Sequence, residues 1–281
     1  MTEKPDRYAV IGHPVQHSRS PMIHALFAKQ TRQKLAYEAI DASPEGLETA
    51  VRGFGAAGGK GLNITVPHKH KAMQLCDALG SEAEQAGAVN TITFVTTTRL
   101  RGDNTDGIGF MRDLVVNHNQ NVRGARILIL GAGGAARGIL PPLIEAEPAD
   151  LVLANRTVGR AEAVVAKLGA KIEVCVFEDL GQKRPFDIVV NATSAGLDGR
   201  RPPFPAACLT PDSFCYDLAY SLKETPFVRW ALERGARRAV QGWGMLVEQA
   251  AESFQIWRGV RPDTTAILAQ LDRAAPRVNA S

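Results

Sequence analysis

Cysteine is scarce in this chain and unpatterned. Cys76, Cys175, Cys208 and Cys215 are the only four in 281 residues. None forms a CxxC pair, and no His/Cys cluster has metal-ligand spacing. No metal is expected, and the thiols read as reduced side chains of a cytoplasmic protein. No apolar run approaches the length of a membrane span. The opening "MTEKPDRYAV" carries charge without an apolar core, so no secretory leader is expected. Charge of one sign is never concentrated: 33 Lys and Arg stand against 29 Asp and Glu, a net +4. That spread argues against a nucleic-acid footprint, although a small positive excess helps to attract acidic small molecules. Internal repeats and low-complexity segments are also missing.

What is present is enough apolar sequence, 45%, to bury a sizeable core in one large domain or two ordinary ones. Short apolar runs alternate with amphipathic ones. "RYAVIG" (7–12), "AYEAI" (36–40), "GLNIT" (61–65) and "VNTITFV" (89–95) are expected as strands, and residues 21–33, 44–57 and 67–79 as helices. The rhythm repeats with "RILIL", "DLVLAN", "IEVCV", "FDIVVN", "FCYDL" and "RRAVQ". Strands alternating with helices predict an α/β fold of βαβ units with mainly parallel sheets. A boundary is expected near residue 105, where "TTTRLRGDNTDG" reads as a hairpin end, a turn and a new helix.

The most informative stretch is "RILILGAGGAARG". An apolar strand runs into Gly131, Ala132, Gly133, Gly134, Ala135 and Ala136, a G-x-G-x-x-A form of the dinucleotide fingerprint. Gly131 suits the tight turn, Gly133 the approach of a pyrophosphate, and Ala136 close packing of helix on sheet. The helix N-terminus offers free amides to phosphate. Pro141 and Pro142 fall inside that helix and predict a kink or an early end. The second strand lacks the terminal carboxylate that would bind a ribose 2′-hydroxyl. Asn155, Arg156, Thr157 and Arg160 follow it instead. Guanidinium groups there suit a 2′-phosphate, which predicts NADP(H) over NAD(H).

In the first half, "GHPVQHSRSPMIH" follows the first strand. Ser20 and Pro21 read as an N-cap and first helical residue. Ser18 is not explained by capping, and two hydroxyls at a helix N-terminus could equally hold an anion. "GLNITVPHKHK" places Asn63 and Thr65 at a strand end and Lys69 in a first helical turn, where the macrodipole disfavours a cation. His68 and His70 read as surface residues. "GAVNT" adds Asn90, and "GDNTDG" adds Asp103 and Asp106. Asp106 reads as a helix N-cap or as a carboxylate partner for Lys69, an arrangement suited to proton donation to a developing alkoxide.

Taken in order, "HSRSP", "NITVPHK", "GAVNT", "GDNTDG", "GAGGAARG", "NRT", "NATSAG" and "GMLVEQA" resemble the shikimate dehydrogenase family over nearly the whole chain. The resemblance implies two α/β domains with a cleft between them. Residues 1–105 plus about 244–281 would bind substrate, and about 106–243 would form a Rossmann-type NADP-binding domain. It implies NADPH-dependent reduction of 3-dehydroshikimate to shikimate, with Lys69 and Asp106 as the catalytic pair. Ser18 and Ser20 would bind the substrate carboxylate with support from Tyr220. Thr65, Asn90 and Gln249 would bond the ring hydroxyls. Thr193, Leu218, Gly242 and Met245 would join the fingerprint residues around the cofactor. Family members commonly carry a different residue at Trp243, which reads as an aromatic packed at a domain junction. A quinate or dual-specificity dehydrogenase is the nearest alternative. An NADP(H)-binding sensor and a methylenetetrahydrofolate dehydrogenase are others, each of which leaves part of the motif set unused. Either a monomer or a homodimer is consistent with the family.

Overall fold

The computed structural model describes residues 4–193 and 204–274. The chain divides into two compact units, residues 1–109 with 247–267 and residues 110–246 with 268–281.

The first unit is built on strands β1 (Asp6–Gly12), β2 (Leu35–Asp41), β3 (Gly59–Ile64), β4 (Ala78–Leu79), β5 (Thr91–Phe94) and β6 (Leu100–Asp103), in the order β2-β1-β3-β5-β6-β4. β1 lies parallel to β2 and β3, whereas β5 runs antiparallel to β3 and β6. The sheet is therefore mixed. Its helices are α1 (Ser20–Thr31), α2 (Leu47–Ala56), α3 (Lys69–Met73) and α4 (Ser81–Ala86). In α2 the apolar residues Leu47, Val51 and Phe54 recur at helical spacing and bury against Ala9, Ile11, Leu62 and Ile64 of the sheet. The helix expected over 67–79 is only one turn. Asp77 is captured by the sheet edge, donating its amide to Leu100 O and accepting the Leu100 amide on Oδ2. Strand pairing thus overrides the helical pattern and creates β4.

Helix α9 (Trp243–Arg258) supplies aromatic packing to the same unit. Trp257 lies on Gly61, where any Cβ would come within 2.4 Å of the indole nitrogen, and its Nε1–H donates to Ile92 O at 3.1 Å. His24 stacks on Tyr37 with centroids 4.2 Å apart. Burial pushes its imidazole down to about 3, so this histidine is a neutral core residue.

The second unit holds β7 (Arg126–Leu130), β8 (Asp150–Ala154), β9 (Glu173–Cys175), β10 (Ile188–Asn191), β11 (Phe214–Asp217) and β12 (Arg238–Gln241), all parallel, in the order β12-β11-β10-β7-β8-β9. This is the doubly wound dinucleotide-binding order, with its switch point between β7 and β10. Both sheet faces are covered: Ile127 and Ile129 point into one apolar cluster, Leu128 and Leu130 into the other. Helices α6 (Gly134–Glu145), α7 (Val158–Leu168) and α8 (Pro226–Glu233) connect the strands. Contrary to the expected early end, α6 continues past Pro141 and Pro142 to Glu145. The prolines leave the carbonyls of Arg137 and Gly138 without i+4 donors. Burial of Ile139, Leu140 and Leu143 holds the helix on the sheet regardless.

α5 (Asp106–Arg112) runs into a π-helical turn at Asp113–Asn117, and α10 (Thr265–Ala274) ends the described chain. Among the described residues no helix is long and apolar enough to cross a membrane. No group of three or more His, Cys, Asp or Glu among them could hold a metal ion. All four cysteines are free, and burial pushes the Cys76 and Cys208 thiols up to about 12.

Candidate active site

Lys69 is the first residue of α3, directly beyond the C-terminal end of the parallel strand β3. Its carbonyl accepts the Val89 amide at 2.9 Å, which ties the start of α3 to the segment carrying Asn90. Its ammonium donates to Asp106 Oδ2 at 2.6 Å. The lysine side chain is 22% exposed and the aspartate 6%, so the pair is largely withdrawn from water while Nζ stays accessible. An ammonium has three donors; with one on Asp106, others can meet a substrate oxygen.

The second carboxylate oxygen is also held. Asn90 Nδ2 donates to Asp106 Oδ1 at 2.8 Å. Asn90 Oδ1 accepts the Thr105 amide at 2.9 Å, and Asn90 Nδ2 comes within 3.4 Å of Gln249 Oε1 on α9. Lys69, Asp106, Asn90 and Gln249 are thus brought together as expected. Asp106 is the partner of Lys69 and not a helix cap: the Asp106 amide donates to Asn104 Oδ1 at 3.0 Å, so Asn104 does the capping.

The serines are arranged differently from the expectation. Ser20 begins α1 as its first helical residue, and the cap position falls to Arg19. Ser18 Oγ, not the Ser20 hydroxyl, accepts a backbone amide at this helix start, that of Ser20 at 3.3 Å. The Ser20 side chain is buried. The preceding loop is anchored by Asp41, which accepts from His13 Nδ1 at 2.7 Å, Gln16 Nε2 at 2.9 Å and the Val15 amide at 3.1 Å. Thr65 sits half-buried where Gly12 makes room for its methyl group; a Cβ on Gly12 would come within 2.4 Å of it. His68, expected on the surface, is buried, with Nε2 2.8 Å from Ala42 O. Its ring pins α3 to the turn after β2. His70 is exposed, as expected.

In the second unit the fingerprint forms an open cradle. Gly131 has φ +98°, and a Cβ there would lie 2.7 Å from Thr193 Cγ2 across the switch point. That conformation and that contact both require glycine. Gly133 and Gly134 have open space where a side chain would be, and Gly133 is the cap position of α6, with no side chain bonding the amides there. The Ala132 amide donates to Asn155 Oδ1 at 3.3 Å, joining the Gly-rich turn to the end of β8. Ala135 lies in the first turn of α6. Arg156, Thr157 and Arg160 are exposed beyond β8, and neither guanidinium has a carboxylate partner among the described residues. An uncapped helix N-terminus, side-chain-free backbone and two unpaired guanidinium groups at the second strand suit a pyrophosphate and a 2′-phosphate, so the residues present fit NADP(H).

Around this cradle, Thr193 donates its amide and hydroxyl to Asn191 Oδ1 at 3.1 and 2.7 Å. Residues 194–196 of "NATSAG" lie outside the described residues. Gly242 passes so close to Leu218 that a Cβ would be 2.5 Å from its carbonyl oxygen. Met245 is buried in the apolar cluster of the sheet. Tyr220 packs against Trp243 with centroids 4.7 Å apart, in line with a packing role for that tryptophan.

Sequence reasoning gave no role to four polar residues behind Asn90: Asn63, Thr91, Thr105 and Ser253 are all buried. The first three lie within or beside the quoted motifs, so position at strand ends was the available signal. Ser253 carries one only in retrospect, standing four residues after Gln249 on the same face of α9. Also missed was Asp113, buried, with the Tyr216 hydroxyl donating to Oδ2 at 2.5 Å and Asn117 Nδ2 to Oδ1 at 2.9 Å.

Three family models match successive parts of the chain. They are described as Shikimate dehydrogenase substrate binding domain over residues 10–92, Shikimate / quinate 5-dehydrogenase over 113–197, and Shikimate 5'-dehydrogenase C-terminal domain over 242–271. A curated protein of Alkalilimnicola ehrlichii, named shikimate dehydrogenase (NADP(+)), is 54% identical over 268 residues, 95% of this chain and 98% of that one. Among solved structures, an Ael1 enzyme from Pseudomonas putida is 48% identical with a TM-score of 0.88, covering 95% of this chain and 98% of that one. The shikimate 5-dehydrogenase of Thermus thermophilus, solved with NADP(H) and shikimate, is 34% identical with a TM-score of 0.85, covering 96% and 99%. Identity at this level, sustained through both units, leaves one assignment: the chain belongs to the shikimate dehydrogenase family.

Proposed function

We propose that the protein is an NADP(H)-dependent shikimate dehydrogenase, interconverting 3-dehydroshikimate and shikimate on the route to aromatic amino acids. The observation that carries the reading is the 2.6 Å contact of Lys69 with Asp106 at the end of a parallel strand, a charged pair that neither capping nor core packing requires. Bound NADPH supplies hydride to a carbonyl carbon. Lys69 Nζ stabilises the negative charge that gathers on the carbonyl oxygen and donates a proton to it. Asp106 aims Nζ, and Asn90 fixes Asp106 through its other oxygen, 2.8 Å away. In the oxidative direction the same pair takes up the hydroxyl proton.

The substrate carboxylate is assigned to Ser18 and Ser20, and the ring hydroxyls to Thr65, Asn90 and Gln249 together with the catalytic pair. The first unit is the substrate-binding half. In the second, the fingerprint holds the pyrophosphate. Arg156, Thr157 and Arg160 take the 2′-phosphate, and Thr193, Leu218, Gly242 and Met245 serve the nicotinamide end. The test is initial-rate kinetics with shikimate and with quinate, each against NADP+ and NAD+. Turnover of shikimate with NADP+ at a kcat/KM well above the other three combinations is expected. Comparable rates on quinate, or with NAD+, overturn the specificity assigned. No shikimate-dependent formation of NADPH overturns the enzyme reading in favour of a binding protein.

A further inference from the structure

We propose that Ser253, a residue of α9 with no place in the reaction above, is a positioning residue for Asp106, acting through a one-way chain of buried hydrogen bonds. The proposal rests on the functional reading just given.

The direction of the chain follows from groups that can only donate or only accept. Asn90 Oδ1 accepts the Thr105 backbone amide at 2.9 Å. Its Nδ2 faces the Asp106 carboxylate at 2.8 Å. The orientation of this carboxamide is therefore settled by its partners. Thr91 Oγ1 lies 2.8 Å from Asn90 Oδ1; an amide oxygen cannot donate, so the single Thr91 hydroxyl proton points at Asn90. Ser253 Oγ lies 2.8 Å from Thr91 Oγ1. With the Thr91 proton already placed, Ser253 must be the donor. The other acceptors within reach, Gln249 O at 3.1 Å and Thr105 Oγ1 at 3.3 Å, are farther. Ser253 Oγ in turn accepts from Asn63 Nδ2 at 2.9 Å. The Asn63 orientation is set in the same way, because its Nδ2 faces the Asn90 carbonyl at 3.3 Å and its Oδ1 accepts the Tyr37 hydroxyl at 2.7 Å.

The donors therefore run from Tyr37 to Asn63, Ser253, Thr91, Asn90 and Asp106. Asn63, Ser253, Thr91, Asn90 and Asp106 are each no more than 5% exposed, so water does not compete for these bonds. Donors that point the same way polarise one another. Ser253 is the one link supplied by α9; the others come from the β-sheet, its loops and the start of α5. Removing its hydroxyl takes the nearest donor from Thr91 Oγ1 and leaves it only Asn63 Nδ2 at 3.2 Å, so the bond from Thr91 to Asn90 loses the polarisation that the donor before it supplies, and Asn90 is held less firmly against Asp106.

The test uses the full chain and steady-state kinetics with shikimate and NADP+. Ser253→Ala and Thr91→Val are each expected to lower kcat about tenfold, the weight of one well-formed bond, with both KM values within about twofold of the parent. The double variant is expected to be no slower than the slower single, since the chain is cut once. Thr91→Ser, which restores the hydroxyl, is expected to recover kcat. Three outcomes overturn the proposal: losses that multiply in the double variant, a Thr91→Ser enzyme as slow as Thr91→Val, or parent-like kcat in both single variants. Failure of the parent itself to oxidise shikimate overturns the functional reading along with the chain; an active parent with unaffected variants overturns the chain alone.

Discussion

Replacing Lys69 with methionine separates the chemistry of this site from its packing. Methionine keeps a flexible stem of similar length and removes the ammonium. Asp106 then loses its 2.6 Å partner but keeps the Asn90 bond at 2.8 Å. Breaking a fully buried pair costs about 3–5 kcal/mol. Here the lysine side chain is 22% exposed, so water can reach the orphaned carboxylate and the stability loss falls to about 1–3 kcal/mol. The barrier loses more. An acid–base group in the transition state contributes about 10²–10⁴-fold, or about 3–5 kcal/mol. The expected result is a protein that melts within several degrees of the parent while its kcat, followed as NADPH formation from shikimate, drops by two to four orders of magnitude. A kcat within about threefold of the parent refutes the argument. A flat kcat with a raised KM would make Lys69 a binding residue, because uniform binding changes KM alone.

Three further expectations follow from the second unit. Arg156→Ala removes a guanidinium from the proposed 2′-phosphate site and is expected to raise the KM for NADP+ about 10- to 100-fold while leaving that for NAD+ unchanged; an unaltered cofactor preference contradicts the assignment. Gly131→Ala forces a Cβ onto a φ of +98° and to within 2.7 Å of Thr193, so isothermal titration is expected to show NADP+ binding weakened by more than about tenfold and shikimate binding unchanged. Burial raises the Asp217 carboxyl to about 6 from an ordinary 3.8, against lowering by its hydrogen bonds from Thr225, the Ala219 amide and Asn191. A raised carboxyl binds its proton more tightly in the folded state, so its contribution to stability is full below about pH 4 and is lost as pH rises through about 6, by up to about 3 kcal/mol. Urea unfolding at a series of pH values is expected to show the parent losing stability relative to Asp217→Asn across that window, and a pH-independent difference refutes it.

Lys69 stood out in the sequence because it goes against a local preference: a cation in a first helical turn, at the end of a parallel strand, has no reason of its own to be there. The Gly-rich turn was legible because its glycines perform backbone tasks, and at Gly131 the positive φ and the Thr193 contact bear this out. Helix lengths and caps were less so. Ser20 looked like a cap, yet the accepting oxygen is that of Ser18, two residues earlier; Asp106 looked like one, yet Asn104 is. In both cases adjacent polar residues compete for the same amides, and only the folded backbone decides. His68 read as a surface residue because no ligand is spaced with it for a metal, but a one-turn helix turns it inward onto Ala42 O. α6 does not end at its prolines, because tertiary burial of Ile139, Leu140 and Leu143 outweighs the lost backbone bonds.

The polar interior of the first unit poses an energetic question of its own. Asn63, Asn90, Thr91, Thr105, Asp106 and Ser253 lie in one buried patch, beside a sheet whose other face is packed with Ile11, Leu62, Ile64 and Ile92. Apolar side chains of like volume at these positions would avoid the desolvation of amides, hydroxyls and a carboxylate, and burying such groups gains little even when every bond is made. Stability therefore does not account for them. A fully satisfied network does hold its members in one geometry, which an apolar patch of flexible side chains cannot do for a charged group. Asp106 has both oxygens bonded, one by Asn90 and one by Lys69. Asn90 has its oxygen held by Thr91 and the Thr105 amide. What the patch gives in return for its desolvation is a lysine aimed to within hydrogen-bond tolerance before any substrate arrives, and preorganisation of that kind lowers a barrier without requiring rearrangement during the reaction.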